Sequence, residues 1–408
     1  MNGPRTARID PALVAILAGV CAALHVGKLP PAITALQAAL GLSLVQAGFL
    51  LSMVQLAGMS AGVAFGALAD GLGPRRSMLA GLAILALASA LGGAAGDAAA
   101  LMALRAGEGF GFLLVVLAAP ALVRRLVAPG RLNAMLGVWG AYMPLATALA
   151  LLAGPWVIGA AGWRAWWWGL AGLTAAMAFW LRAAVSAEAG GRAAHAAAAP
   201  SWLARLRPTL AAPGPWLVAM AFAMYSGQWL AVIGFLPTVY AEAGMAGTVA
   251  GALTALAAAV NMIGNISAGR LLHGGARPAR LLATGYTAMG IAAAVAFVGF
   301  GTEGAWSIPA SVRYGAVLAF SAVGGLVPAT LFVLAMRVAP DEGSISATVG
   351  WVQQWSALGQ FGGPPLVAWV AVRAGGWQST WLATGACALL GLALTAAISR
   401  RVAAGSPR

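Results

Sequence analysis

Long apolar runs alternate with short polar connections along the whole chain. A membrane-spanning helix needs about 20 mostly apolar residues, and each run reaches roughly that length. Glycine, proline and charged residues divide the first half of the chain into six predicted helices, at 11–36, 44–69, 76–96, 98–124, 132–160 and 163–184. They divide the second half into six more, at 213–240, 246–272, 279–300, 311–337, 344–371 and 378–400. The pattern predicts an all-α membrane protein with twelve transmembrane helices.

The longest interruption, AEAGGRAAHAAAAPSWLARLRP, lies near the middle of the chain and contains no uninterrupted spanning length. It separates an N-terminal six-helix half, 1–184, from a C-terminal six-helix half, 213–408, through a linker at 185–212. An internal repeat supports this division, because GALADGLGPRR begins at Gly66 and the similar GRLLHGGARPAR begins at Gly269. Two related halves with a site between them are a recurrent plan in transporters.

Composition and charge fix the environment and the orientation. Hydrophobic residues make up 62% of the chain and charged residues only 8%, whereas a soluble domain has about 25% charged residues. Eighteen arginines fall in segments on the side of the two termini, and only Arg164, Arg313 and Arg373 fall in segments on the other side. This bias predicts a multi-pass protein of the cytoplasmic (inner) membrane with both termini and the linker in the cytoplasm. The net charge of +14 then needs no nucleic-acid partner, because anionic lipid heads at the inner leaflet account for it.

The segment GALADGLGPRR resembles the loop between the second and third helices of the major facilitator superfamily, which has the pattern G-x-L-a-D-r-x-G-r-[RK]. Gly66, Asp70, Gly73 and Arg76 match the pattern, and Arg75 lies beside them. The resemblance implies two pseudo-symmetric six-helix halves and a conformational latch in this loop, with the carboxylate of Asp70 facing the positive N-terminal end of the eleventh helix. The alternative is that the loop only caps a helix and marks topology.

Two cations lie inside predicted helices. LMALRAGEGFGF matches the R-x-x-x-G pattern of the superfamily's fourth helix, with Arg105 and Gly109 in register and Glu108 where the family often has Gln. Lys28, the only lysine, lies deep in the first helix, and His25 precedes it by three residues on the same face. Charges inside a membrane are costly and usually functional. Lys28 and Arg105 are therefore predicted to bind substrate together with His25, although Lys28 could instead reach the interface and His25 could be a packing residue.

The charges in these two helices indicate the substrate class. Lys28 and Arg105 carry two positive charges, and Glu108 can neutralise one of them. The remaining positive charge favours a small organic or inorganic anion, which a guanidinium can hold through two hydrogen bonds. Glu108 is also the predicted proton carrier, because making and breaking contact with Arg105 would let it release and bind a proton in turn.

The C-terminal half offers neutral polar and aromatic side chains for the opposite wall of the site. The predicted substrate-binding residues there are Tyr225, Gln228, Asn261, Asn265, Gln354 and Trp355. Each of the polar ones could equally join helices to each other through hydrogen bonds, which contribute about 0.6 kcal/mol on average in membranes.

Over nearly its whole length, including MPLATALALLAGP and YSGQWLAVIGFLPTVY, the chain looks most like the cyanate-permease branch of the superfamily. This resemblance implies a secondary active transporter that works by alternating access around a central site. It implies a small-molecule substrate, protons as a candidate coupling ion for symport, no cofactor and a monomeric protein.

Other functions remain open. A drug or metabolite exporter would carry G-x-x-x-G-P-x-x-G-G in the fifth helix, and this chain keeps only Gly154 and Pro155 before departing from the pattern. Met220 and Met224 are spaced like a thioether site of a copper importer, but packing is the better explanation of these methionines. A non-transporting membrane sensor is a further alternative.

A membrane enzyme is not expected. The histidines outside the apolar runs, His195 and His273, lie in predicted loops, and the sequence has no nucleophile–base or metal-ligand spacing. No metal site is predicted.

Overall fold

A computed structural model of the protein describes residues 9–62, 72–187, 202–299 and 308–404, and all regular elements in these ranges are helical. The membrane-spanning helices of the N-terminal half are α1 (Pro11–Leu40), α2 (Leu44–Gly62), α3 (Pro74–Gly93), α4 (Ala98–Leu126), α5 (129–161) and α6 (163–184). Those of the C-terminal half are α7 (Pro213–Glu242), α8 (Gly247–His273), α9 (Pro278–Phe297), α10 (Ala310–Arg337), α11 (Ile345–Ala374) and α12 (Thr380–Ala404). The predicted all-α membrane fold is confirmed.

Ten helices among the described residues are long and apolar enough to cross a membrane. One of them, Tyr142–Ala184, has 43 residues and leaves helical geometry at Gly162, where φ is 81° and ψ is 166°. It therefore makes two passes, α5 and α6, joined by a glycine in a conformation that other residues rarely adopt. Helix α11 has 30 residues, which is ample length for a further pass, but its three glutamines lower its hydropathy.

Several predicted helices are continuous in sequence but interrupted in structure. In α1 the helix Pro11–Gly27 is followed by a 3₁₀ turn at Pro30–Ala32 before the helix resumes. The prolines explain this break, because they lack the N–H that continues a helix. Helices α8 and α10 also break, at Val260 and Gly325. The two breaks lie against each other, since a Cβ added to Gly325 would be 2.2 Å from the carbonyl oxygen of Asn261.

Prolines and capping side chains mark where several helices begin. Several helices, including α1, α3, α7 and α9, have proline in their first turn, where its missing N–H costs nothing. Asp97 caps α4 by accepting a hydrogen bond of 2.8 Å from the backbone N–H of Ala100. Ser43 and Gln46 form a reciprocal capping box at the start of α2.

The two halves contact each other through α2 with α11 and through α5 with α8. We call the end of the bundle where α1 begins and α12 ends the terminal end, and the other the opposite end. Two close approaches to backbone atoms lie towards the opposite end, one turn after α2 and α8 begin. A Cβ added to Gly48 of α2 would be 3.0 Å from the carbonyl oxygen of Pro364, and one added to Gly251 of α8 would be 2.5 Å from that of Leu151. Backbones therefore pack directly against each other across the halves.

The predicted linker contains a further helix, Trp202–Ala211. Its Thr209 hydroxyl is hydrogen-bonded at 3.0 Å to the hydroxyl of Thr348 at the start of α11, and both side chains are fully buried. The linker helix is thus attached to the C-terminal half. Helix α6 ends at Ala184 and α7 begins at Pro213.

Part of the predicted latch can be described. Gly66 and Asp70 lie outside the described residues. Gly73 precedes α3 with a φ of 82°, and Arg76 is exposed. Arg75 donates from Nε to the carbonyl oxygen of Val185 at 2.8 Å, so this arginine joins the start of α3 to the end of α6.

Candidate functional site

Four ionisable side chains of α1 and α4 meet inside the N-terminal half, and we call them the cation cluster: His25, Lys28, Arg105 and Glu108. All four are completely buried. The Glu108 carboxylate joins the two cations, because Oε1 accepts a hydrogen bond from Nζ of Lys28 and Oε2 accepts one from Nη1 of Arg105 at 2.5 Å. The structure therefore brings together all the ionisable residues predicted for the site from the first and fourth helices.

Lys28 is held by three helices besides its own. Its Nζ donates to Oγ of Ser89 on α3 at 3.0 Å and lies 4.5 Å from the ring centroid of Trp167 on α6. The Ser89 hydroxyl in turn donates to the carbonyl oxygen of Trp167 at 2.9 Å. Together with Glu108 of α4, these contacts keep the ammonium group in the protein interior and away from the membrane interface.

The hydrogen bonds of His25 indicate a neutral ring with its proton on Nε2. The hydroxyl of Thr174 donates to the carbonyl oxygen of Leu170 at 2.7 Å, so at 2.8 Å from Nε2 it is free only to accept. The other ring nitrogen, Nδ1, is then an acceptor, and it lies 3.3 Å from Nζ of Lys28. His25 therefore adds no charge to the cation cluster in this arrangement.

Arg105 is only partly satisfied. Its Nη1 also donates to the carbonyl oxygen of His25 at 2.6 Å, and its Nε lies 3.5 Å from the carbonyl oxygen of Leu50 on α2. Its Nη2 is buried and makes no hydrogen bond with any described residue. A buried guanidinium nitrogen without an acceptor is costly, so this atom is the natural place for an additional acceptor.

A second feature, the central pocket, lies between the two halves. It is a cavity of about 90 Å³ bounded by α2, α4, α5 and α11. Its polar lining residues are Gln55, Tyr142, Gln353, Gln354, Ser356 and Gln360. The lining residues that the structure describes include no charged side chain. The central pocket can therefore donate to and accept from a solute through amides and hydroxyls.

The cation cluster adjoins the central pocket along one face of α4. Gly109, Phe112 and Val116 line the pocket, and Arg105 precedes Gly109 by four residues on the same face of the helix. Four residues correspond to about 6 Å along a helix axis. The Cα of Arg105 thus lies about one turn from Gly109, towards the opposite end of the bundle.

The predicted polar residues of the C-terminal half form a separate network. Asn261 of α8 donates from Nδ2 to the Tyr225 hydroxyl at 3.1 Å and to the carbonyl oxygen of Ser321 on α10 at 2.9 Å. Asn265 donates to Oδ1 of Asn261 at 2.9 Å. These hydrogen bonds join α7, α8 and α10 where α8 and α10 are interrupted.

The remaining predicted residues differ in their positions. Gln354 lines the central pocket and donates to the carbonyl oxygen of Met59 on α2 at 2.9 Å, across the two halves. Gln228 donates to Met224 within its own helix, and its side-chain oxygen is buried without a partner among the described residues. Trp355 packs in an edge-to-face arrangement against Trp216, at 5.6 Å between ring centroids.

Sequence reasoning did not single out several residues that the structure assigns to these features. Gln55 of α2 donates to Oε1 of Gln360 on α11 at 3.0 Å, which bridges the two halves at the pocket. Ser89 and Thr174 complete the cation cluster. Ser89 and Thr174 are each surrounded by apolar residues in their helices, and that isolation is a signal in the sequence. Gln55 shares α2 with other polar residues and carries no such signal.

Comparison with known proteins identifies the family. The sequence model of the Major Facilitator Superfamily matches residues 15–359. The chain belongs to the major facilitator superfamily. No curated protein sequence matches it.

Solved transporters show the same fold. A bacterial homologue of the human lysosomal transporter Spinster, in an inward-facing and occupied conformation, superposes with a TM-score of 0.80 at 14% identity, over 98% of both chains. A D-xylose–proton symporter gives a TM-score of 0.72 at 16% identity, over 95% of this chain and 96% of the symporter.

Membership of the major facilitator superfamily makes this chain a multi-pass membrane protein and a secondary transporter that moves a small molecule by alternating access. It is not an enzyme.

Proposed function

We propose that this transporter carries a small anion across the cytoplasmic membrane, with Lys28 and Arg105 of the cation cluster as the residues that bind the anionic group. The observation that carries the proposal is the excess charge of a fully buried cluster. Lys28 and Arg105 contribute two positive charges and Glu108 one negative charge, with His25 neutral, so the cluster holds a net charge of +1. Leaving a cation unbalanced in a membrane is costly, at about 2.5–3.5 kcal/mol on insertion scales. A monovalent anion would remove that cost.

The geometry of Arg105 supports the same class of substrate. Its Nη2 has no acceptor among the described residues, while Nη1 is already occupied. A carboxylate at Nη2 would satisfy this donor and gain a charge-assisted hydrogen bond. To reach the guanidinium from the central pocket, the solute would have to pass between α4 and α2, which separate only if Gly109 moves away from the carbonyl oxygen of Val54, now 2.4 Å from a Cβ added to Gly109.

The orientation in the membrane rests on the arginine bias. With both termini in the cytoplasm, the terminal end of the bundle faces the cytoplasm. The close contacts at Gly48 and Gly251 then separate the central pocket from the outside. Alternating access would require these contacts to open.

We further propose that protons are the coupling ion and that Glu108 carries them. The carboxylate binds both cations, so a substrate anion that competes for Lys28 or Arg105 would leave it without a partner and favour protonation. If Glu108→Gln retains accumulation driven by a pH gradient, the carrier is another group, and His25 is the next candidate because it contacts Lys28.

The test of the anion site is ligand affinity, measured by thermal shift and calorimetry on purified protein with a panel of small carboxylates, inorganic anions, cations and neutral solutes. A bound ligand stabilises the protein by RT ln(1 + [L]/Kd). Lys28→Ala and Arg105→Ala should each weaken binding of an anionic ligand at least tenfold. Arg105→Lys should weaken it as well, because an ammonium cannot reproduce the planar guanidinium.

Arg164→Lys is the matched control, because Arg164 lies outside the cation cluster and donates to the carbonyl oxygen of Gly93. Its ligand affinity should equal that of the wild type. Unchanged affinity in all three cluster variants would refute the proposed anion site, and so would a transported cation.

The lining of the central pocket favours a second candidate, a neutral polar solute. Glutamine side chains dominate its polar surface, and none of the lining residues in the described part of the chain is charged. A neutral solute would bind through Gln55, Gln354 and Gln360. In that case the affinity panel would select an uncharged ligand, and Gln354→Leu would weaken its binding more than Arg105→Lys does.

A further inference from the structure

A second cavity lies away from the central pocket, on the membrane-facing surface of the C-terminal half. Helices α9 and α10 leave between them an open groove of about 670 Å³, the α9–α10 groove. Five alanines contribute to its lining: Ala283, Ala288, Ala292, Ala316 and Ala319. Small side chains on two neighbouring helices create the depression. Ile291, which also lines it, is 61% exposed, so the groove opens to the bilayer.

The length of the groove matches one leaflet. On α9 the lining residues run from Ala283 to Val295, which is about 18 Å at 1.5 Å per residue. The hydrocarbon core of a bilayer is about 30 Å thick, so one leaflet contributes about 15 Å. Hydrocarbon must fill the groove, because its walls would otherwise lose their dispersion contacts. The groove ends at Val295, 15 residues beyond Arg280 and about 22 Å along the helix, so a single acyl chain from the leaflet at the terminal end fills it by extending past the bilayer midplane.

The terminal end of the groove is positively charged. Arg277 is the residue immediately before α9, and Arg280 precedes Ala283 by three residues, on the same face of the helix. Both arginines are exposed, and neither forms an ion pair with another described residue. Arginine binds phosphate through two parallel hydrogen bonds, and the positive end of the α9 dipole adds to the attraction.

We propose that the α9–α10 groove binds one anionic phospholipid, with an acyl chain along the alanines and the phosphate at Arg277 and Arg280. A second copy of the chain fits the groove less well. In a twofold dimer that buries this face, the Arg277 and Arg280 pairs of the two copies would meet at the same end of the bundle, and like charges would repel. A phospholipid brings the opposite charge to that end.

The test is lipid retention, measured by native mass spectrometry of protein taken from nanodiscs of phosphatidylcholine with and without phosphatidylglycerol. The wild type should retain one phosphatidylglycerol in preference to phosphatidylcholine. Ala319→Trp should abolish retention by filling the groove from an exposed position. Arg280→Gln should weaken retention of phosphatidylglycerol about fivefold, since one arginine near an anionic headgroup contributes about 1 kcal/mol.

Two control variants match these changes elsewhere. Leu87→Trp adds a large side chain on the exposed face of α3, the counterpart of α9 in the N-terminal half, where Leu87 is 63% exposed. Arg124→Gln removes an exposed arginine near the terminal end of α4. Both should retain lipid like the wild type.

Three results would overturn the proposal. One is equal retention by Ala319→Trp and Leu87→Trp. Another is an Arg280→Gln variant that loses phosphatidylcholine and phosphatidylglycerol to the same extent, because the headgroup would then not be recognised. The third is a stable dimer whose interface covers Ala319. Arg280→Gln changes only an exposed side chain and should fold, so it tests the headgroup contact even if Ala319→Trp is unstable.

Discussion

Glu108 is the only acidic residue that contacts Lys28 and Arg105 in the described part of the chain, and its replacement by glutamine should strongly destabilise the protein. The change raises the charge of the cation cluster from +1 to +2. In the wild type the carboxylate of Glu108 accepts hydrogen bonds from both Lys28 and Arg105. The amide of glutamine has only one oxygen, so its N–H₂ group, which is a donor, would face one of these two cations. Removing one partner of a buried ion pair typically costs about 3–5 kcal/mol. Because the partners here are fully buried, Glu108→Gln should fall in that range.

A second substitution should recover most of this loss. Lys28→Met gives an unbranched side chain one heavy atom shorter and removes the charge, so Lys28→Met/Glu108→Gln returns the cluster to +1. The oxygen of the introduced glutamine can then accept from Arg105, and its amide nitrogen can turn towards Nδ1 of His25, which lies 3.8 Å from Oε1 of Glu108 in the wild type. We expect the double variant to lose only about 1–2 kcal/mol, and Lys28→Met alone to lose less, because a buried ion pair often contributes little net stability over apolar residues. The coupling energy should therefore be about 2–3 kcal/mol.

The assay is reversible unfolding in mixed detergent micelles, followed by tryptophan fluorescence and circular dichroism. Glu242→Gln is the control, since Glu242 is exposed and accepts from Nε1 of Trp377 at 2.7 Å, a bond that a glutamine oxygen can keep. Its stability should match the wild type. The reasoning is refuted if Glu108→Gln stays within about 1 kcal/mol of the wild type, or if adding Lys28→Met gives no recovery.

Two further predictions concern packing and topology. Gly264→Ala should destabilise the protein by about 1–3 kcal/mol, because the new Cβ would be 2.1 Å from the carbonyl oxygen of Ala322. Gly269→Ala on the same helix is the control, since its Cβ would meet open space. Its stability in the same unfolding assay should equal that of the wild type. Cysteines introduced near Asp97 should react with an impermeant label added outside intact cells and those near His195 should not; the reverse pattern would contradict the cytoplasmic position of the termini and linker.

The membrane-spanning helices could be predicted from sequence because each depends on local hydropathy. The interruptions could not. The break of α8 at Val260 coincides with that of α10 at Gly325, and the backbones touch there. Such a contact depends on which helices become neighbours. The sequence identifies glycine as permissive, but it does not identify the partner.

The cation cluster shows the same division between local and long-range information. His25 and Lys28 share a face of α1 by spacing alone, as Arg105 and Glu108 do on α4, so both pairs were predictable. The Glu108 bridge to Lys28 and the support of Lys28 from Ser89 join residues far apart in the chain. The cost of burying charge implies that such partners exist, but only the packing of α1 and α3 against α4 and α6 identifies them.

The halves share a fold but differ in charge, and this difference bears on the proposed transport cycle. In the N-terminal half the interior between α1 and α4 holds ionised groups. In the C-terminal half the corresponding helices α7 and α10 are joined by neutral groups, with Trp229 donating from Nε1 to Oγ of Ser321 at 3.2 Å. An anion held by the cluster would therefore remain with the N-terminal half throughout the cycle. Gln354 and Gln360 of α11 line the central pocket, and any hydrogen bonds between them and the anion would break and form as the halves move, because neutral hydrogen bonds exchange with water at little net cost whereas a buried charge does not.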